Sequence, residues 1–360
     1  MKRFLKPINL LWLLVLPLVI IAIRLLPWRE IIQILLSLTV PELAAILALN
    51  GVILLLFGAR WWLILRTSGY TVPYAKLSAY RMAGFAISYF TPGTQFGGEP
   101  LQAYLVQSRH KVPTGASVAA VTLDKLLELM ASFTFLALGI LLTIGYRLIP
   151  GLAHPSLAAW IGALLLAELA YLSALLTGRL PLTRLVTRIP ARVWFHPSME
   201  KLPGLVASTE EQILILFRRR PLLLLWTLLI SVLVWVLMVF EYWLMSYFLG
   251  ANLTALQAVA GLTATRIAFL TPLPGGVGLL EAGQALAMQA FGFTSALGIS
   301  LSLLMRARDL AVGMFGLWVG GLVGSSRTQK HTRQNVEPNM QKMPPGGIEP
   351  EPVRVPDRGW

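Results

Sequence analysis

The chain has 360 residues, 56% of them hydrophobic and only 13% charged, with a mean hydropathy of +0.70. A soluble protein carries about 25% charged residues, so composition excludes a soluble domain and implies an all-α polytopic membrane protein. The net charge of +14 sits in loops between apolar runs, not on a basic stripe interleaved with aromatics, which argues for topology signals and against nucleic acid as a partner.

Residues 8–26 form the first apolar run, behind Lys2, Arg3 and Lys6, and read as an uncleaved signal anchor. Further spans are expected at 41–65, 114–146, 156–176, 221–249 and 295–324, six crossings in all. Residues 31–39 are apolar but too short to span. With the N-terminus inside, the cytoplasmic side receives most of the cations, including the basic loop 177–220, and the outside receives only Arg24, Arg29 and Arg147. Both termini are therefore expected in the cytoplasm of a cell-membrane protein. Within the basic loop, residues 205–217 read as an amphipathic element that could rest on anionic headgroups. Residues 325–360 are polar and rich in Pro and Gly, and are expected to form a disordered tail after a membrane domain of residues 1–324.

Two stretches do not fit as simple crossings. Residues 74–108 carry TPGTQFGGEP at 91–100, and residues 254–292 carry TPLPGGVGLLE at 271–281. Each has an apolar, helix-compatible run on both sides of a Pro/Gly cluster and the same kind of flank at both ends, so each reads as a re-entrant helical hairpin. The two are related by spacing. Trp62-Leu63 and Trp243-Leu244 lie 181 positions apart, as do Gly69 and Gly250, while Thr91-Pro92 and Thr271-Pro272 are 180 apart and Glu99 and Glu281 are 182 apart. Halves of about 8–146 and 156–324 each hold three crossings, an odd number, so the second half is expected to be upside down: an inverted repeat, as in transporters.

Charges inside such a domain cost about 2.5–3.5 kcal/mol each on insertion scales and mark function. The candidates for substrate binding or transport are Glu99, Arg81, Asp124, Lys125, Arg266, Glu281, Arg308 and Asp309, with Glu128, Glu241 and Arg306 as further intramembrane charges. Lys125–Glu128 and Arg306–Asp309 have the i,i+3 spacing of internal pairs. Pro100 is suited to begin a helix whose free N–H groups would receive a phosphate; Gly275 and Gly276 would let a ligand approach the backbone. Gly316, Gly320 and Gly324 form a close-packing stripe that serves either a homodimer or internal packing. The absence of cysteine excludes thiol chemistry, the four histidines lack metal-ligand spacing, and neither Gly cluster is a nucleotide loop, so no metal or cofactor is expected.

Residues 92–104 (PGTQFGGEPLQAY), residues 272–281 (PLPGGVGLLE) and the Asp124-Lys125 pair resemble the signature positions of the lysylphosphatidylglycerol synthetase transmembrane family, also called flippase-like membrane proteins. The family more often shows Glu-Arg where this chain has Asp-Lys. The resemblance spans roughly residues 8–324 and implies movement of a phospholipid, glycolipid, hopanoid or polyprenyl-linked headgroup between leaflets. It does not imply synthesis of lysyl-lipid, because only the 36-residue tail follows the membrane part. A lipid translocase is the expected activity, without a recognisable catalytic set. The alternatives are a membrane-embedded transferase, with Glu99 or Asp124 as base, and an envelope-assembly scaffold.

Overall fold

The computed structural model describes residues 28–90, 97–148, 155–188, 202–219, 221–269 and 278–340. The signal-anchor run at 8–26, the Thr-Pro pairs of both Pro/Gly clusters, and Gly275 and Gly276 lie outside the described residues, as does the chain after Met340. Among the described residues every regular element is an α-helix: α1 (Trp28–Ser37), α2 (Val40–Thr67), α3 (Tyr74–Phe90), α4 (Glu99–His110), α5 (Thr114–Gly145), α6 (Pro155–Leu176), α7 (Pro181–Arg188), α8 (Leu202–Arg219), α9 (Pro221–Phe248), α10 (Ala255–Phe269), α11 (Leu279–Ala290) and α12 (Ser295–Met340). Among the described residues, three segments are long and apolar enough to cross a membrane: Val40–Thr67, Thr114–Gly145 and Leu222–Phe248.

Local chemistry sets the helix ends. Glu42 accepts hydrogen bonds from the Thr39 backbone N–H and hydroxyl at 2.7 and 2.8 Å, closing the start of α2. At its far end Gly69 adopts φ +92°, which only glycine enters freely, and Tyr70 N–H reaches back to Leu65 O at 3.1 Å. The same stop ends α9: Gly250 has φ +87° and Ala251 N–H reaches Ser246 O at 2.9 Å. In each case a tryptophan indole then fastens the turn, Trp62 Nε1 to Val72 O and Trp243 Nε1 to Leu253 O, both at 3.0 Å.

The two Pro/Gly stretches separate pairs of helices that pack on each other, α3 with α4 and α10 with α11. The first pair joins α2 and α5 in one core built on Trp61, Leu77, Leu105 and Leu123. The second joins α9 and α12 in another, built on Tyr242, Met245, Met288 and Leu304. The halves also brace each other. α12 runs along α3, and α10 packs on α5. Gly316 of α12 lies against Met82 O and Ala86 of α3, so this glycine of the stripe serves packing within the chain.

Two expectations change. α12 continues to Met340, so residues 325–340, expected in a disordered tail, extend a helix already nucleated in the apolar segment; propagation needs no new nucleus. Part of α8, expected to rest on headgroups, is held by protein instead: Thr209, Glu210 and Ile213 are buried, with Ile213 in the first core, while Ile215 stays exposed.

Candidate functional site

A cavity of about 340 Å³ lies between the halves, lined from α2, α3, α5, α9, α10 and α12. Five cations reach its wall (Arg60, Arg81, Lys125, Arg266 and Arg308) together with three carboxylates (Glu128, Glu241 and Asp309). Charges at this density in so apolar a chain require mutual compensation.

In the first half the compensation is dense. Arg60, 1% exposed, places Nε 2.7 Å from Asp124 Oδ1, donates from Nη2 to Asp124 O at 3.1 Å and from Nη1 to Ser231 Oγ at 3.1 Å. Arg81 pairs with both Asp124 and Glu128. Lys125 Nζ lies 3.1 Å from Glu128 and 3.2 Å from Glu99. Arg60 and Arg81 both sit over the Phe57 ring, with centroid distances of 5.4 and 5.3 Å. Asp124 is thus the hub of two arginines and lies behind the cavity wall.

In the second half, charged residues recur at a constant spacing from those of the first, one of them with its sign reversed. Glu241 stands 181 positions after Arg60, Arg306 after Lys125, and Asp309 after Glu128. Arg308 Nη1 pairs with Glu241 at 2.6 Å, and its Nε and Nη2 donate to Asp309 Oδ1 at 3.0 and 2.8 Å. Asn50 of α2 donates to the other Glu241 oxygen at 3.0 Å, crossing from the first half. The i,i+3 pair Lys125–Glu128 is present. The Arg306–Asp309 spacing does not produce a pair: Arg306 turns instead to Glu281 at 2.8 Å, because α11 begins beside α12, and Asp309 is engaged by Arg308.

The two hairpin carboxylates hold their own helices. Glu99 accepts from Gly97 N–H at 2.9 Å, and Glu281 from Gly278 N–H at 2.8 Å. Each then pairs with a cation on the following long helix. Pro100 lies in the first turn of α4, but the backbone ahead of it is engaged: Gly97 N–H by Glu99 and Gly98 N–H by Ser88 Oγ at 2.9 Å. Gly98 also rests on the backbone of Gly84, where any Cβ would overlap. These residues fix the hairpin and do not line the cavity.

Arg266 differs from the other lining cations. Its Nη2 lies 3.0 Å from Met238 Sδ and its guanidinium stands 4.7 Å over the Trp235 ring, which itself stacks on Phe135 at 4.1 Å. Its Nε is buried without a hydrogen-bond partner, and among the described residues no carboxylate comes within ion-pair distance of it. A guanidinium held by a π face and a thioether keeps donors for an anion.

Of the residues singled out in the sequence, Arg81, Lys125, Arg266, Arg308 and Asp309 meet at the cavity, while Asp124, Glu99, Pro100 and Glu281 stand behind it. Arg60 and Asn50 escaped sequence reasoning. The signal for Arg60 was available, an arginine well inside a 28-residue apolar helix and 181 positions from Glu241.

Residues 9–316 match the family described as the lysylphosphatidylglycerol synthase TM region, the family that the two loops resemble. A UPF0104 membrane protein of Pyrococcus horikoshii is 24% identical over 288 residues, covering 78% of this chain and 84% of the relative. One of Methanothermobacter thermautotrophicus is 27% identical over 242 residues, 65% of this chain and 70% of the relative. A third, of Methanocaldococcus jannaschii, is 22% identical over 285 residues, covering 77% and 83%. No solved structure matches.

Proposed function

The chain belongs to the family of the lysylphosphatidylglycerol synthase TM region, and from that membership we propose that this membrane protein is a lipid translocase, passing a phosphate-bearing headgroup between leaflets through the charged cavity. The observation that carries the reading is Arg266. Arg60, Arg81, Lys125 and Arg308 are each engaged by carboxylates, whereas Arg266 faces the same cavity with sulfur and indole for neighbours. A phosphate arriving there gains charge-assisted hydrogen bonds that no protein group yet fills. The flanking ion pairs give the polar headgroup partners along the way, which lowers the cost of burying it, while the acyl tails stay in lipid. The transferase alternative requires a free base at Glu99 or Asp124, and both are already engaged, Glu99 by Gly97 N–H and Lys125, Asp124 by two arginines.

In this reading the two helix pairs are re-entrant hairpins entering from opposite sides of a cell membrane, within an inverted repeat whose termini face the cytoplasm. The shared turn geometry at Gly69 and Gly250 and the paired indole bonds support it. Cysteines replacing Ser108 and Tyr70 are expected to label from the cytoplasm and one replacing Asn252 from outside; opposite labelling of Ser108 and Tyr70 sinks the hairpin.

The activity is tested in proteoliposomes with a fluorescent phospholipid. Wild type is expected to accelerate movement between leaflets, and Arg266→Gln to slow it at least about tenfold, the worth of one charge-assisted hydrogen bond. A wild-type rate in folded Arg266→Gln removes the phosphate seat. No acceleration by wild type with anionic, cationic or polyprenyl lipids removes the translocase.

A further inference from the structure

α7 has the sequence PLTRLVTR, and helical spacing divides it into three sides. Leu182 and Leu185 share one, Arg184 and Arg188 a second, and Thr183 belongs to the third. The third side is tied down. Glu210 of α8, 2% exposed, accepts from Leu182 N–H, Thr183 N–H and the Thr183 hydroxyl at 3.1, 2.9 and 2.7 Å. A carboxylate at a helix N-terminus is a favourable seat, and α8 is itself anchored through Ile213 in the first core. The orientation of α7 is therefore fixed by protein, and the other two sides are left over. Leu182 is 40% and Leu185 61% exposed, and Arg184 and Arg188 are exposed beside them.

Position supplies the occupant. α7 starts five residues after α6 ends, through a turn in which Gly178 takes φ +87° and Arg179 N–H reaches Ala174 O at 2.8 Å. α6 is a 22-residue apolar helix with Trp160, Leu166 and Leu169 turned outward. The chain thus passes directly from a membrane-length helix into a short helix whose free sides are leucine and arginine. Residues 177–188 contain three arginines and no acidic residue. A second copy of the chain would bring the same cations to the contact and be repelled.

We propose that α7 lies in the plane of the cytoplasmic membrane surface, its two leucines in the acyl boundary and Arg184 and Arg188 on anionic lipid headgroups. The sequence had pointed to residues 205–217 for this role. In that segment Thr209, Glu210 and Ile213 are buried against protein, whereas α7 keeps both its leucines and both its arginines exposed. The inference is independent of the translocase reading and rests on the proposed topology, which puts the basic loop in the cytoplasm.

The chain has no native cysteine, so Leu185→Cys and Thr187→Cys can carry single spin labels in full-length protein. Both sites are exposed and lie about 160° apart on the helix at about 100° per residue. In nanodiscs with a third of their lipid anionic, the label at 185 is expected to collide with oxygen and be shielded from a water-soluble nickel chelate, and the label at 187 to show the reverse. In purely zwitterionic discs the contrast is expected to weaken. Arg184→Gln with Arg188→Gln is expected to remove the dependence on lipid charge, at roughly fivefold in the seating equilibrium per arginine. Two water-exposed labels overturn the proposal, as does a 185 label shielded from both reagents, which would mean a protein contact. Equal profiles in the two disc types overturn the anionic assignment.

Discussion

The two charged walls of the cavity carry residues at a constant sequence spacing and solve different problems. On the first wall a single carboxylate, Asp124, serves Arg60 and Arg81, and Glu128 backs up both and Lys125 as well. On the second, Arg308 is held by two carboxylates, Arg306 leans on Glu281, and Arg266 has none. Arg60 and Glu241 stand 181 positions apart and carry opposite charges, and each has partners of the opposite sign, Asp124 for one and Arg308 for the other. The first wall is closed on itself. On the second, among the described residues, Arg266 is left without a carboxylate, and the Nε of both Arg266 and Arg306 is buried without a hydrogen-bond partner.

The comparison breaks most readily at Asp124. Asp124→Asn strands two arginines in a buried site, and losing one partner of a buried pair costs about 3–5 kcal/mol. The expected outcome is a large fall in the melting temperature of the purified protein. A melting curve close to wild type would mean that Glu128 alone suffices for both arginines. The hairpin carboxylates come next. Glu281→Gln leaves Arg306, a buried guanidinium whose Nε already lacks a partner, and is expected to cost about 2–3 kcal/mol. Glu99→Gln leaves Lys125 with Glu128 and is expected to cost about 1 kcal/mol. Equal destabilisation of the two variants would erase the difference between the walls at this point. The smallest effect is the sharpest test of likeness: Trp62→Phe and Trp243→Phe each remove one 3.0 Å bond at the same turn. Each is expected to lose about 1 kcal/mol, and a clear inequality in thermal shift would show that the turns are loaded differently.

Much of the helix plan was readable because its signals are local. Proline and glycine clusters between apolar runs predicted two helix pairs, and the observed ends at Phe90, Glu99, Phe269 and Leu279 flank those clusters. The Trp-Leu and Gly pairs noted for their spacing in the sequence sit at the ends of α2 and α9, where the turns have matching geometry. The site was harder, because its contacts join residues far apart. Arg60 meets Asp124 across 64 positions and Asn50 meets Glu241 across 191, separations that periodicity cannot express. Local spacing even misled: the i,i+3 separation of Arg306 and Asp309 suggests a pair, but α11 offers Arg306 a carboxylate at 2.8 Å. The role expected of Pro100 rested on free N–H groups at a helix start, and the two N–H groups ahead of it, of Gly97 and Gly98, are taken by the side chains of Glu99 and Ser88.

The contact between α12 and α3 carries a cost in time. Met82 and Ala86 receive Gly316, which is added to the growing chain roughly 230 residues later. At about 5–20 residues per second of synthesis, α3 stands for roughly 10–50 s without the helix that will cover it. During that interval the first half is inserted but unfinished, and something else in the membrane, lipid or an insertion factor, must shelter the small-residue face of α3. Truncation before α12 would leave that shelter permanently in place, so a shortened chain is expected to be retained at the site of its insertion and degraded, even though every helix of its first half has been made.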